Sequence, residues 1–144
     1  MLKVTDRSTL HKAVLARNTD EMSRFITEML KKTISTFDSA ESFYHGFILS
    51  LLIGVPDYVA RSNREEGDGR PDITLYPENP KDPAYIFEIK TRDKFNRMDD
   101  GIQEAFEQIK DKRYEEGILD DGYAGVVSFG VCCCKKSCII ELMQ

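Results

Sequence analysis

Apolar side chains recur at helical spacing in the first third of the chain and switch to strand-like runs in the middle. Met22, Phe25, Ile26, Met29, Leu30, Ile34 and Phe37 share one face of a helix over residues 20–36, and Asn18 with Glu21 three positions on resembles a capping box at its start. A shorter helix is expected over residues 8–17. A second apolar helix begins at Asp38, carries Phe43, Phe47, Ile48, Leu51 and Leu52, and ends at Gly54 and Pro56. Residues 58–62, 72–76 and 84–91 then read as three strands. The turn-rich NREEGDG and the proline-rich PENPKDP separate them. The third strand opens with apolar residues on both faces, which suits the middle of a sheet. A charged helix over residues 99–116, closed by Gly117, leads to two last strands over 123–133 and 138–142. The turn Lys135-Lys136-Ser137 joins them. This order implies one α/β or α+β layer structure with a mixed sheet. Its division is an N-terminal helical segment, 1–37, and a core, 38–144.

With 144 residues the chain fits one domain, and it can bury about 68–70% of its unfolded surface without a disulfide or metal staple. The net charge of −5 excludes a basic coat that binds nucleic acid through charge alone, but not a local basic groove. The longest apolar run, Phe47 to Val55, is too short for a membrane span, and the first residues lack the apolar core of a signal peptide. A cytoplasmic protein without membrane contact is expected. Cys132, Cys133, Cys134 and Cys138 crowd near the C-terminus and are read as reduced structural thiols. On a strand Cys133 points away from its two neighbours, which does not suit a zinc or iron–sulfur site. No Walker motif occurs, so nucleotide hydrolysis is not expected.

The chemistry concentrates at Asp72, Glu88 and Lys90. Glu88 and Lys90 lie two apart on the third strand, so they share a face, while Ile89 points into the core. A carboxylate and an ammonium on an apolar central strand are costly unless they are paired or bind something. Two carboxylates from adjacent strands make an oxygen-rich site for a hard divalent cation, and the Ile89 carbonyl offers one more oxygen. A lysine beside such a cation can orient or help deprotonate water and offset charge on a phosphate. Plainer readings stand beside this one. Asp72 after Pro71 suits a turn, and Glu88 with Lys90 suits a surface pair or a buried ion-pair network. Glu41 suits a capping box after Asp38, and His45, four residues on, suits a hydrogen-bonded structural role. Arg70, Arg92, Lys94 and Arg97 flank the three positions as a basic rim or as ordinary surface charge.

Pro71-Asp72, then Glu88-Ile89-Lys90, resembles the signature of the PD-(D/E)XK nuclease superfamily. A helix bearing Glu41 precedes these residues and a helix bearing Gln108 follows them. Within the superfamily, the segments Glu41–His45, Ser62–Asp72, Phe87–Lys90 and Ala105–Ile109 are similar to the nuclease-like domain found C-terminal to AAA-ATPase-like regions in bacterial and archaeal proteins. The resemblance covers roughly residues 38–142. It implies a restriction-endonuclease-like fold, a mixed central sheet flanked by helices. It also implies hydrolysis of phosphodiester bonds in nucleic acid, DNA foremost, with Mg²⁺ or Mn²⁺. Asp72 and Glu88, with the Ile89 carbonyl, would hold the metal, Lys90 would be the catalytic lysine, Glu41 an extra carboxylate, and Gln108 would face the site. A homodimer is compatible, since many relatives cut two strands with two subunits, as is an AAA-ATPase-like region or partner. The alternative is a nuclease-like fold kept as a binding module without catalysis. One position departs from the related RecB-like pattern, in which tyrosine follows the glutamine by four residues. Here residue 112 is lysine and the tyrosine is Tyr114.

Overall fold

The computed structural model describes residues 6–33 and 40–144. Three helices come first: α1 (Ser8–Leu15), α2 (Thr19–Thr33) and α3 (Glu41–Leu52). The strands β1 (Tyr58–Ser62), β2 (Ile73–Pro77) and β3 (Pro83–Thr91) follow. A 3₁₀ turn (Phe95–Arg97), α4 (Met98–Asp111), α5 (Tyr114–Asp120), β4 (Gly125–Cys134) and β5 (Ser137–Leu142) complete the chain. The sheet runs β1-β2-β3-β4-β5 in space. Only the β3–β4 pair is parallel, because α4 and α5 carry the chain across one face between those strands. The sheet is therefore mixed, as the element order implies.

Alternation along the strands feeds two cores. Ile73, Leu75, Tyr85, Phe87, Ile89, Phe129, Val131 and Cys133 face α1–α3. Tyr76, Ile86, Cys132 and Cys134 lie on the α4–α5 side, and Thr74 and Glu88, two positions along from Tyr76 and Ile86, share that face. Met22, Ile26 and Leu30 recur every four residues on α2 and are fully buried, each contributing about 1.5–3 kcal/mol by leaving water. The Asn18 side chain caps α2 by accepting from the Glu21 backbone N–H at 3.2 Å. The outer edge of β5 is covered by the same helix. Thr27 Oγ1 donates to the Cys138 carbonyl (3.1 Å) and accepts from the Cys138 N–H (3.0 Å), and Ser23 Oγ accepts from the Ile140 N–H (2.9 Å). All four cysteines are free and buried. Burial pushes the Cys132 thiol up to about 12, which leaves it an inert core residue. No helix among the described residues is long and apolar enough to cross a membrane.

Three expectations are corrected. Helix α3 starts at Glu41 with Ala40 at the N-cap, so Glu41 is its first residue and not the third residue after an Asp38 cap. Asp38 itself, like Ile34 and Phe37, lies outside the described residues. The charged helix expected over residues 99–116 is two helices, because the chain breaks at Lys112 and at Arg113, which adopts φ 54°. Gly117 does not close a helix; it lies inside α5. A Cβ there would stand 2.2 Å from the Gly67 nitrogen, and one on Gly67, at φ 59°, would stand 2.1 Å from the Arg113 carbonyl oxygen. The 65–70 loop is thus docked backbone to backbone into the α4–α5 break, with the Asp68 N–H donating to the Lys112 carbonyl at 2.7 Å. Since neither contact can be relieved by a rotamer, Gly117→Ala is expected to cost about 1–3 kcal/mol. A lowered urea midpoint at unchanged slope checks it.

Candidate active site

The site forms where β2 starts and β3 nears its end. Pairing of these antiparallel strands stops at Ile73 opposite Phe87, so Asp72 and Glu88 lie just past the last rung, on neighbouring chains. The Asp72 N–H donates to Glu88 Oε1 at 3.2 Å, and the Ile89 N–H donates to Asp72 Oδ2 at 2.7 Å. These two bonds take the place of strand pairing and lock the two carboxyl groups side by side. In an extended strand the N–H and C=O of one residue share an edge. The Ile89 carbonyl therefore lies on the edge that its N–H presents to Asp72.

Glu88 is fully buried, and its Oε2 has no hydrogen-bond partner among the described residues. The Asp72 side chain is 19% exposed, so the pair reaches solvent on that side. Burial, then the hydrogen bond between the two carboxyl side chains and the charge of Asp72, push the Glu88 carboxyl up to about 9, while the Lys90 ammonium and the Asp72 N–H pull it partly back. Among the described residues no lysine or arginine lies within ion-pair distance of either carboxyl. The His45 imidazole stands nearby, with Nδ1 3.9 Å from Asp72 Oδ1. Two touching carboxyl groups without a charged partner must share a proton or take up a cation.

Lys90 does not close an ion pair with the carboxyls. Its Nζ donates to Gln108 Oε1 at 2.5 Å; the Gln108 amide donates to the Tyr114 hydroxyl at 3.1 Å, and that hydroxyl donates to the Arg70 carbonyl at 3.3 Å. The chain of bonds explains the departure in tyrosine spacing. The α4–α5 break turns the backbone so that a tyrosine six residues after Gln108, and not four, reaches its amide. Burial raises the Tyr114 hydroxyl above its ordinary value.

Glu41 heads α3 at the rim. Partial desolvation there raises its carboxyl first, Asp72 and Glu104 push the same way, and Lys90 and His45 pull it down. It stands within electrostatic reach of the pair but makes no hydrogen bond to it. Ser62, a residue the sequence did not single out, anchors His45: its hydroxyl is 2.7 Å from His45 Nε2. Its one signal is position, since it ends β1 opposite Ile73 and so adjoins Asp72. Of the four basic positions, three are engaged. Arg70 pairs with Glu65 (3.0 Å), Arg92 with Asp100 (3.1 Å) and Glu104 (2.8 Å), and Arg97 with Asp100 (3.2 Å). Lys94 is exposed and has no ion-pair partner among the described residues.

No group of three or more His, Cys, Asp or Glu side chains stands at ligating distance among the described residues. The donors are two carboxyls and one edge carbonyl. That suits Mg²⁺ or Mn²⁺, which takes one or two protein carboxylates and completes its shell with water and phosphate oxygens. The unpartnered Glu88 Oε2 is the atom such an ion would satisfy. No curated protein and no solved structure matches the chain. A family model of the PD-(D/E)XK nuclease superfamily matches residues 39–142, the span that holds all of these side chains and the whole sheet. With most of its length matched, and with a five-stranded mixed sheet between helices, the chain belongs to the PD-(D/E)XK nuclease superfamily and has its restriction-endonuclease-like fold.

Proposed function

We propose that the protein is a divalent-cation-dependent phosphodiesterase that hydrolyses nucleic acid, DNA foremost. The observation that carries this reading is the Asp72–Glu88 pair: two carboxyl groups in contact, one fully buried with an unpartnered oxygen, and no lysine or arginine of the described chain to neutralise them. A purely structural ion-pair network would spend Lys90 on those carboxylates, whereas Lys90 is held by Gln108. Asp72 and Glu88, with the Ile89 carbonyl, would hold the ion. When bound, it would polarise the scissile phosphate and acidify a nearby water.

The chain's own residues supply the rest. Gln108, itself fixed by Tyr114, holds the Lys90 ammonium beside the carboxyls, where it can donate to an attacking water and offset negative charge on the phosphate. The Ser62–His45 contact steadies the imidazole next to Asp72, and Glu41 adds negative charge at the rim. The Glu41 charge favours uptake of a divalent cation. The reading extends to an AAA-ATPase-like region or partner that would deliver substrate, and to a homodimer for cutting both strands.

Incubation with supercoiled, linear and single-stranded DNA and with RNA, each with Mn²⁺, tests the activity. Cleavage that stops on chelation is expected. Calorimetric uptake of Mn²⁺ that disappears in Asp72→Asn checks the site. An absence of both cleavage and Mn²⁺ binding would leave a binding module.

A further inference from the structure

The loop that leaves the carboxyl end of β3 sets an aromatic ring on the surface next to the candidate site. Phe95 lies in the 3₁₀ turn, five residues after Lys90, and is 56% exposed. It is the one aromatic side chain among the large hydrophobic residues that the described chain leaves in solvent. Strand β4 runs parallel to β3, with Cys132 opposite Lys90 and Cys133 opposite Thr91, so the turn after β4 emerges at the same end. In that turn Lys135 places Nζ 5.3 Å from the centroid of the Phe95 ring, and Lys136 follows. The Tyr44 hydroxyl donates to the Lys135 carbonyl at 2.7 Å, tying the turn to the helix that Glu41 heads.

Basic residues gather on this loop. Between Glu88 and Asp99 the chain carries Lys90, Arg92, Lys94 and Arg97 against a single carboxylate, Asp93. Arg92 and Arg97 are tied to Asp100 and Glu104, but Lys94, Lys135 and Lys136 have no ion-pair partner among the described residues. An exposed aromatic ring with one ammonium group at 5.3 Å, and lysines next to both in sequence, matches an unpaired nucleotide: the base stacks on the ring and the flanking phosphates meet the cations. An intact duplex hides its base faces and offers the ring nothing to stack on.

We infer that Phe95, with Lys94, Lys135 and Lys136, is a stacking platform for an unpaired nucleotide at the mouth of the candidate site. The preferred substrate is then single-stranded nucleic acid or a duplex with an unpaired end; this deepens the proposed function and rests on it.

The chain contains no tryptophan, so Phe95→Trp places a single indole at the platform. In EDTA its emission is expected to be quenched by an oligothymidylate of about 15 nucleotides, and not by a dumbbell duplex without free ends. By anisotropy of the labelled oligothymidylate under the same conditions, Phe95→Ala should bind roughly tenfold to a hundredfold more weakly than the wild type. Phe95→Trp should bind as the wild type does. Wild-type affinity in Phe95→Ala, equal quenching by the dumbbell, or no binding by the wild type would each overturn the platform. Because these measurements need neither cation nor cleavage, the two ideas fail separately. Quenching without any Mn²⁺-dependent cleavage removes the phosphodiesterase and keeps the platform, while cleavage without quenching does the reverse.

Discussion

Alanine at Lys90 is expected to slow Mn²⁺-dependent DNA cleavage by about 10²–10⁴-fold, the range for losing a group that stabilises charge or moves a proton in the transition state. The fold should tolerate the change. Lys90 is half-buried at the end of β3, its one hydrogen bond runs to Gln108, and no carboxylate depends on it for an ion pair among the described residues. The unfolding midpoint should therefore move little, and calorimetric Mn²⁺ uptake should persist, because the carboxyls remain. Cleavage by Lys90→Ala at the wild-type rate would remove the lysine from the chemistry. Loss of cleavage together with loss of folding would say only that the residue is structural.

Glutamine at Glu88 gives the second large effect, with opposite signs on stability and on cation uptake. The folded protein raises this carboxyl from 4.5 to about 9, chiefly by burying it. Between those values the folded state holds a proton that the unfolded state has released. Stability of the cation-free protein is then fully present below about pH 4.5 and declines as pH rises toward 9, by up to about 1.4 kcal/mol per pH unit. Glu66, pushed up to about 7 by burial and by Asp121, adds to the slope, so the informative quantity is the difference between wild type and variant. Glu88→Gln should show the flatter pH profile of the two, and without cation it should be more stable than the wild type at pH 8 by about 2–4 kcal/mol. With Mn²⁺ the order reverses. The wild type gains about 2.7 kcal/mol at a hundredfold excess over the dissociation constant, more readily at higher pH because the proton must leave first, while the variant gains nothing. Urea titrations from pH 5 to 8, with EDTA or Mn²⁺, check both halves. Parallel pH profiles for the two proteins in EDTA would show that Glu88 is not the strained group.

Much of this arrangement can be read from residue order. The alternation Glu88-Ile89-Lys90 fixes which side chains meet the core, and Ile89 is indeed fully buried while Lys90 is not. The same logic separates Cys133 from Cys132 and Cys134, which lie in different cores. The strand limits at β1 and β3 follow from turn residues and branched side chains, both local signals. What stayed hidden depends on distant backbone. Gly117 looks like a helix stop because glycine usually is one, and only the docked 65–70 loop shows that it is there to admit Gly67. The break at Arg113 follows from the same contact, and with it the reach of Tyr114 to Gln108. The pairing of Arg92 and Arg97 with Asp100 was equally invisible, since those partners meet across a turn that propensity does not specify.

The hydroxyls of Ser23 and Thr27 occupy donors and acceptors along the rim of β5 that a foreign strand would need. Intermolecular sheet extension is blocked on that flank and falls to β1, a short strand whose Val59 is 42% exposed. Its last residue, Ser62, touches His45 beside Asp72. A neighbouring molecule that zipped onto this flank would press against Ser62, the anchor of the His45 imidazole beside Asp72, so self-association by that route would bear directly on the candidate site.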